Sequence, residues 1–202
     1  MAVLAIGSHL DDIELGCFGT MLKYQSMGHD IDMLVCSDCQ DLPRNHGQRM
    51  IDECNAIALK YIGQCPVRLS LPNTRLHEYG AEIRHALEKA RDNTEYHLVI
   101  CPWQSDINQD HKAVSDECIR VFREHNLIQY EVPRSTVGFA PNVYVSLTDE
   151  QVTNKLDAVG MYETQAHTPY FDRAHVLGQL QFRGLEIGTQ YAESFWTRRL
   201  IL

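Results

Sequence analysis

Two short clusters in this chain combine imidazoles and carboxylates at spacings that suit a metal ion. The first is Ser8-His9-Leu10-Asp11-Asp12-Ile13-Glu14-Leu15-Gly16. His9 and Asp12 lie three residues apart, so an imidazole nitrogen and a carboxylate oxygen can converge across a strand-to-helix turn. Zn²⁺ accepts such N and O ligands and, in catalytic sites, keeps one position open for water. Asp11 stands beside a ligand without having to be one. A free carboxylate there suits metal-assisted hydrolysis, in which the ion acidifies a water and the base takes its proton. Taken alone the pattern has a second reading, because Asp is a common helix N-cap and its charge complements the helix dipole.

The second cluster is Trp103-Gln104-Ser105-Asp106-Ile107-Asn108-Gln109-Asp110-His111-Lys112. His111, at the head of a helical pattern, supplies a third ligand. Two His and one Asp, with water completing the shell, make a hydrolytic zinc site, and Fe²⁺ also suits these ligands. The competing reading is a helix capped by Asp110 with His111 on the surface.

Both clusters follow apolar runs and open into helical periodicity, which predicts a repeated strand-loop-helix layout. Ala2–Ile6 reads as a buried strand and Ile13–Met27 as the helix after it. Further on, Ile31–Cys36, Val67–Leu71 and Leu98–Cys101 read as strands, and Gln48–Tyr61, Gly80–Arg91 and His111–His125 as helices. Such alternation predicts βαβ units and a parallel sheet, with both clusters at the carboxyl ends of strands, where open α/β sheets bind ligands. Ser135–Ala140 and Val143–Leu147 are β-rich runs, Asp149 heads a helix reaching about Tyr162, Phe171–Ile187 has helical character, and Phe195–Leu202 reads as a strand. The expected architecture is a Rossmann-like α/β fold, a mostly parallel sheet flanked by helices, with a β-rich C-terminal segment. One domain over residues 1–202 is expected, since no linker or repeat interrupts the pattern.

The formal charge of −9 argues against a nucleic-acid partner, which needs a basic face. No window approaches a membrane span, and no signal-peptide pattern opens the chain. Seven scattered cysteines fit a reducing cytoplasm better than a disulfide framework. Cys36-Ser37-Asp38-Cys39 lacks a second Cys pair and reads as small residues on a loop rather than a redox or zinc pair. The polar stretch Ser37–Gly47 leaves the second strand where a substrate would be read, making Arg44, Asn45, His46 and Arg49 candidate contacts. Arg49 also has Glu53 as an i,i+4 partner, the reading preferred for it. Trp103 offers a ring on which a sugar can stack. The oligomeric state is left open, a homo-oligomer included.

The chain resembles the PIG-L/LmbE-like N-deacetylases. Their His-Pro-Asp-Asp-x-Glu-x-Gly-x-Gly-Gly-Thr motif is matched by His9-Leu10-Asp11-Asp12-Ile13-Glu14-Leu15-Gly16-Cys17-Phe18-Gly19-Thr20. Asp106-Ile107-Asn108-Gln109-Asp110-His111-Lys112 is similar to their Asp-x-His-x-Asp-His-Arg, with Asn108 at the usual histidine and Leu10 at the usual proline. Arg49 to Glu53, Lys155 through Tyr162-Glu163-Thr164-Gln165, and Tyr191-Ala192-Glu193-Ser194-Phe195 resemble further family segments. The resemblance implies that His9, Asp12 and His111 bind the metal, that Asp11 is the general base, and that the substrate is an amino sugar or sugar nucleotide. Asn108 can donate to a developing oxyanion but cannot act as a general acid, which leaves Asp11 or another group such as His46, His77, His167 or His175 to protonate the leaving nitrogen. A relative that binds metal or sugar without turnover is the second reading. A nucleotide-binding oxidoreductase is disfavoured, because carboxylates follow the first strand where a pyrophosphate needs a Gly-rich turn.

Overall fold

The computed structural model describes residues 1–40, 42 and 46–201. The buried run Ala2–Gly7 is strand β1, and short helices α1 (Asp12–Gly16) and α2 (Phe18–Ser26) follow it. Then come β2 (Asp30–Val35), α3 (His46–Tyr61), β3 (Val67–Arg68), α4 (Gly80–Asn93), β4 (Tyr96–Pro102) and α5 (Gln109–Val121). The remainder is β5 (Leu127–Tyr130), β6 (Val143–Ser146), α6 (Asp149–Gly160), α7 (Arg173–Glu186) and β7 (Ala192–Trp196).

One seven-stranded sheet runs β3-β2-β1-β4-β5-β7-β6. The first five strands are parallel, and β7 lies antiparallel to both β5 and β6. Side chains alternate across β1, so Val3 and Ala5 enter the apolar cluster on one face while Ala2, Leu4 and Ile6 enter the other. Burial on both faces explains the uninterrupted apolar reading of β1. From β1 the chain winds outward through β2 to β3, then returns beyond β1 to make β4 and β5. The order therefore reverses between β1 and β4, and the crevice at their carboxyl ends is the switch point where such sheets place ligands. Both chemical clusters leave the sheet there.

The helix expected over Ile13–Met27 is broken at Cys17 (φ −148°). The break comes from an ion pair inserted into the helical ladder. Leu15 O, which would accept from Gly19 N, instead accepts from Lys155 Nζ at 2.7 Å. Gly19 N and Thr20 N donate to Glu193 Oε1 and Oε2 at 2.9 and 2.7 Å, and Lys155 Nζ closes the arrangement on Glu193 Oε1 at 2.6 Å. A side chain in the i→i−4 ladder is an established cause of helix breaks. Glu193 thus caps the orphan amides of α2, and its charge suits that end of the helix.

Lys155 and Glu193 are buried, with side chains 2% and 3% exposed. Removing one partner strands the other charge in the core, so Lys155→Met is expected to cost about 3–5 kcal/mol in denaturant unfolding. Adding Glu193→Gln should recover part of that loss. A Lys155→Met midpoint equal to the wild type's would contradict the inserted ion pair.

Other boundaries also differ from expectation. Strand β3 stops after two residues, short of Leu71, and the chain turns through Ser70 at φ 54°. Helix α5 ends at Val121, so β5 begins where a strand was not expected, and Ser135–Ala140 forms no strand. The last strand is Ala192–Trp196 rather than Phe195–Leu202, with Leu202 outside the described residues. Thr148, not Asp149, caps α6 through a capping box with Gln151.

Candidate metal centre

The turn after β1 is tight. A Cβ on Gly7 would stand 2.8 Å from His9 O, so only glycine lets the chain fold back over the strand end. Ser8 N and His9 N then donate to Asp12 Oδ2 at 2.9 and 2.8 Å, which fixes the carboxylate inside its own turn. Leu10, at the position of the family proline, is held by its carbonyl, which accepts from the buried Tyr162 hydroxyl.

After β4, Asn108 caps α5 by accepting from Asp110 N at 2.9 Å. Asp110 is therefore not the cap. Its Oδ1 accepts from Leu76 N at 3.0 Å, and its Oδ2 accepts from Thr74 N at 2.7 Å and stands 3.1 Å from His9 Nε2. Nor is His111 on the surface, with only 3% of its side chain exposed. Its Nδ1 lies 2.8 Å from Asp106 Oδ2, and its Nε2 lies 3.2 Å from Asp12 Oδ1. Asp106 in turn accepts from Asn108 N and the Ser135 hydroxyl at 2.8 and 2.9 Å.

One ligand atom each from His9, Asp12 and His111 lie within 4.8 Å of one another. Asp110 takes the outward nitrogen of His9 and Asp106 that of His111, leaving His9 Nδ1 and His111 Nε2 turned to Asp12. A carboxylate on the non-ligating nitrogen is the usual support of a metal-binding histidine, fixing its tautomer and raising its basicity. The donor set of two imidazoles and one carboxylate fits a divalent cation such as zinc.

The electrostatics point the same way. Burial opposes protonation of His111, yet Asp12 and Asp106 lift its pKa to about 9. His9 is also raised against the effect of burial, by Asp12 and Asp110. Asp12 is held far below the usual carboxylate range by His111 and His9, despite its burial. The pocket is built to hold positive charge. Asp11 differs: burial and then the Asp12 carboxylate push it up to about 6, and among the described residues no other side chain hydrogen-bonds to it. Glu14, buried deeper, is raised by burial to about 8, and its Oε2 has no hydrogen-bond partner among the described residues.

These groups face a cleft of about 470 Å³ whose lining includes His9, Asp11, Asp12, Asn108 and His111. Its far wall is formed by residues without a metal-ligand signature, including Met50, Asn73, Arg134, Gln165 and Tyr170. Met50 and Gln165 belong to segments that resemble the family, whereas nothing in the local sequence marks Asn73, Arg134 or Tyr170. Of the expected substrate contacts, His46 begins α3 and Trp103 packs edge-on against Phe139 at 5.2 Å. Neither is among the described residues lining the cleft. Arg44 and Asn45 lie outside the described residues. Arg49 does not pair with Glu53. Glu53 instead accepts from Thr164 N at 3.1 Å and from the Thr164 hydroxyl, while Arg49 comes within 3.9 Å of the exposed Glu163.

Residues 4–122 match the PIG-L family, described as GlcNAc-PI de-N-acetylase, and the chain belongs to that family. It is 29% identical over 168 residues to the uncharacterized deacetylase YaiS of Escherichia coli (strain K12), covering 80% of this chain and 90% of that one. Its fold is similar to that of the conserved protein TT1542 from Thermus thermophilus, with a TM-score of 0.84 at 20% identity over 99% and 96% of the two chains. It is also similar to N,N'-diacetylchitobiose deacetylase from Pyrococcus horikoshii, with a TM-score of 0.77 at 19% identity over 96% and 82%. Among the described residues no helix is long and apolar enough to cross a membrane.

Proposed function

We propose that this chain, acting as one domain, is a metal-dependent hydrolase that removes the acetyl group from the nitrogen of an amino sugar or its conjugate. The observation that carries the reading is the convergence of His9, Asp12 and His111 beside the unengaged carboxylate of Asp11 on one cleft. His9 Nδ1, an Asp12 oxygen and His111 Nε2 would hold the cation, zinc by its match to this donor set or Fe²⁺ as a substitute. When bound, it supplies a Lewis acid for the amide carbonyl and lowers the pKa of a water.

The chain's own groups do the rest. Asp11 accepts the proton of the attacking water as the new C–O bond forms. Asn108 uses Oδ1 in its cap, so its NH₂ is the donor left for the developing oxyanion. An amide side chain cannot donate a proton as an acid, so Asp11 passes that proton to the departing nitrogen as the C–N bond breaks. The products are acetate and a free amine.

The test is metal content of the purified protein, measured with acetate release from a panel of N-acetylamino sugars and sugar nucleotides. About one metal per chain with acetate release is the expected result. Metal without acetate from any member would favour a relative impaired by Asn108, and no metal after reconstitution would overturn the site.

A further inference from the structure

The metal cleft does not end at Tyr170. Pro133, Arg134 and Tyr170 line both it and an adjoining groove of about 530 Å³ that continues past His175, Phe182 and Arg183. Both spaces are within the size range of small-molecule sites. Arg183 is committed to Glu131 at 2.7 and 2.9 Å and to Glu186 at 2.9 Å. Arg134 has no carboxylate partner among the described residues, and it is the only Lys or Arg among those lining the cleft. In a chain of formal charge −9, where most of the described arginines pair with a carboxylate, Arg134 stands exposed on the cleft rim without one.

The backbone of Arg134 is set for that place. Its φ is 81°, a left-handed conformation that costs a side-chain-bearing residue free energy and persists only where the surroundings impose it. Here Pro133 precedes it and Ser135 follows, with Ser135 pinned twice. The Ser135 hydroxyl donates to Asp106 Oδ2 at 2.9 Å, and Ser135 O accepts from Ile107 N at 3.1 Å. Asp106 is the carboxylate that holds His111. The loop presenting Arg134 is therefore anchored, through Ser135, to the carboxylate that holds His111. Tyr170, on the shared wall, stands in the fields of Asp11 and Asp12 and of Arg134.

We infer that Arg134 is a specificity-determining residue that binds a phosphate or carboxylate group carried by the amino-sugar substrate, at the junction of the metal cleft and the adjoining groove. The inference rests on the deacetylase reading above. A planar guanidinium matches both oxyanions with paired hydrogen bonds, which lysine cannot reproduce. The substrate class is then an N-acetylamino sugar conjugate bearing a negative charge, longer than a monosaccharide alone.

The test compares the methyl glycoside of N-acetylglucosamine, its carboxymethyl glycoside and N-acetylglucosamine 1-phosphate, with metal-loaded wild type and Arg134→Gln. Wild type should prefer at least one charged member by about tenfold in kcat/KM, the size expected of one charge-assisted contact. Arg134→Gln should remove that preference through KM, with kcat and the methyl glycoside little changed. Arg134→Lys should fall between them. The charged member that loses more identifies phosphate or carboxylate as the group read. Equal losses on charged and neutral substrates, or no wild-type preference, would overturn the inference. Calorimetric titration with N-acetylglucosamine 1-phosphate separates this from failure of the deacetylase reading. The carboxymethyl glycoside is titrated in the same way: weaker binding of either anion by Arg134→Gln supports the anion site even without acetate release, and equal binding of both refutes it.

Discussion

Replacing Asp11 with asparagine should lower kcat by about 10²- to 10⁴-fold while leaving the metal content of the protein unchanged. Asparagine keeps the shape of the side chain but cannot take a proton from water at neutral pH. The proposed ligands are untouched, because among the described residues no other side chain hydrogen-bonds to the Asp11 carboxylate. Among the described residues no Lys, Arg or His comes within salt-bridge distance of the Asp11 carboxylate, so the fold loses no ion pair with it. Elemental analysis and acetate release on the same sample decide the matter. Turnover within tenfold of wild type would remove Asp11 from the role of base. Joint loss of metal and activity would make it a ligand.

His111→Ala should abolish both metal retention and acetate release. The imidazole stands between Asp106 at 2.8 Å and Asp12 at 3.2 Å, and all three side chains are nearly inaccessible. Without it the proposed ligand set falls to two, and two buried carboxylates lose the partner they share. The metal-free protein should therefore also be weaker, by about 3 kcal/mol on the scale of a buried charge left unpaired. The paired readout is metal per chain after dialysis and the unfolding midpoint of the metal-free forms. Full occupancy in His111→Ala would place the metal elsewhere. An unchanged midpoint would mean that His111 does not hold Asp12 and Asp106 apart.

The repeated strand-loop-helix signature is what made the core of this site readable without coordinates. Strands buried on both faces appear as apolar runs, and Ala2–Ile6 and Leu98–Cys101 each ended where polar chemistry began. The reversal of strand order between β1 and β4 then brings His9, Asp12 and His111 to one crevice. What escaped was set by packing rather than by pattern. Asp106 and Asp110 stand at motif positions, but only the approach of the rings shows which imidazole each one holds. Strand β5 is four residues long and follows closely on α5, so periodicity had too few residues to register it. Trp103 packs edge-on against Phe139 instead of lining the cleft, and Tyr170 took the cleft wall from a part of the chain that carries no motif.

The arrangement that interrupts the first helices has a consequence for the order of assembly. The turn bearing His9, Asp11 and Asp12 is translated well before the groups it leans on. Tyr162 holds the Leu10 carbonyl, Lys155 holds that of Leu15, and Glu193 takes the amides of Gly19 and Thr20. Until residue 193 has left the ribosome, Lys155 lacks the counter-charge it has in the fold, and the amides of Gly19 and Thr20 lack the carboxylate that caps them. The nascent chain can pair β1 with β2 and β4, and it can carry all three proposed ligands, before the first turn has its final supports. The turn that carries two of the proposed ligands thereby gains its last supports only with completion of the sheet by β7.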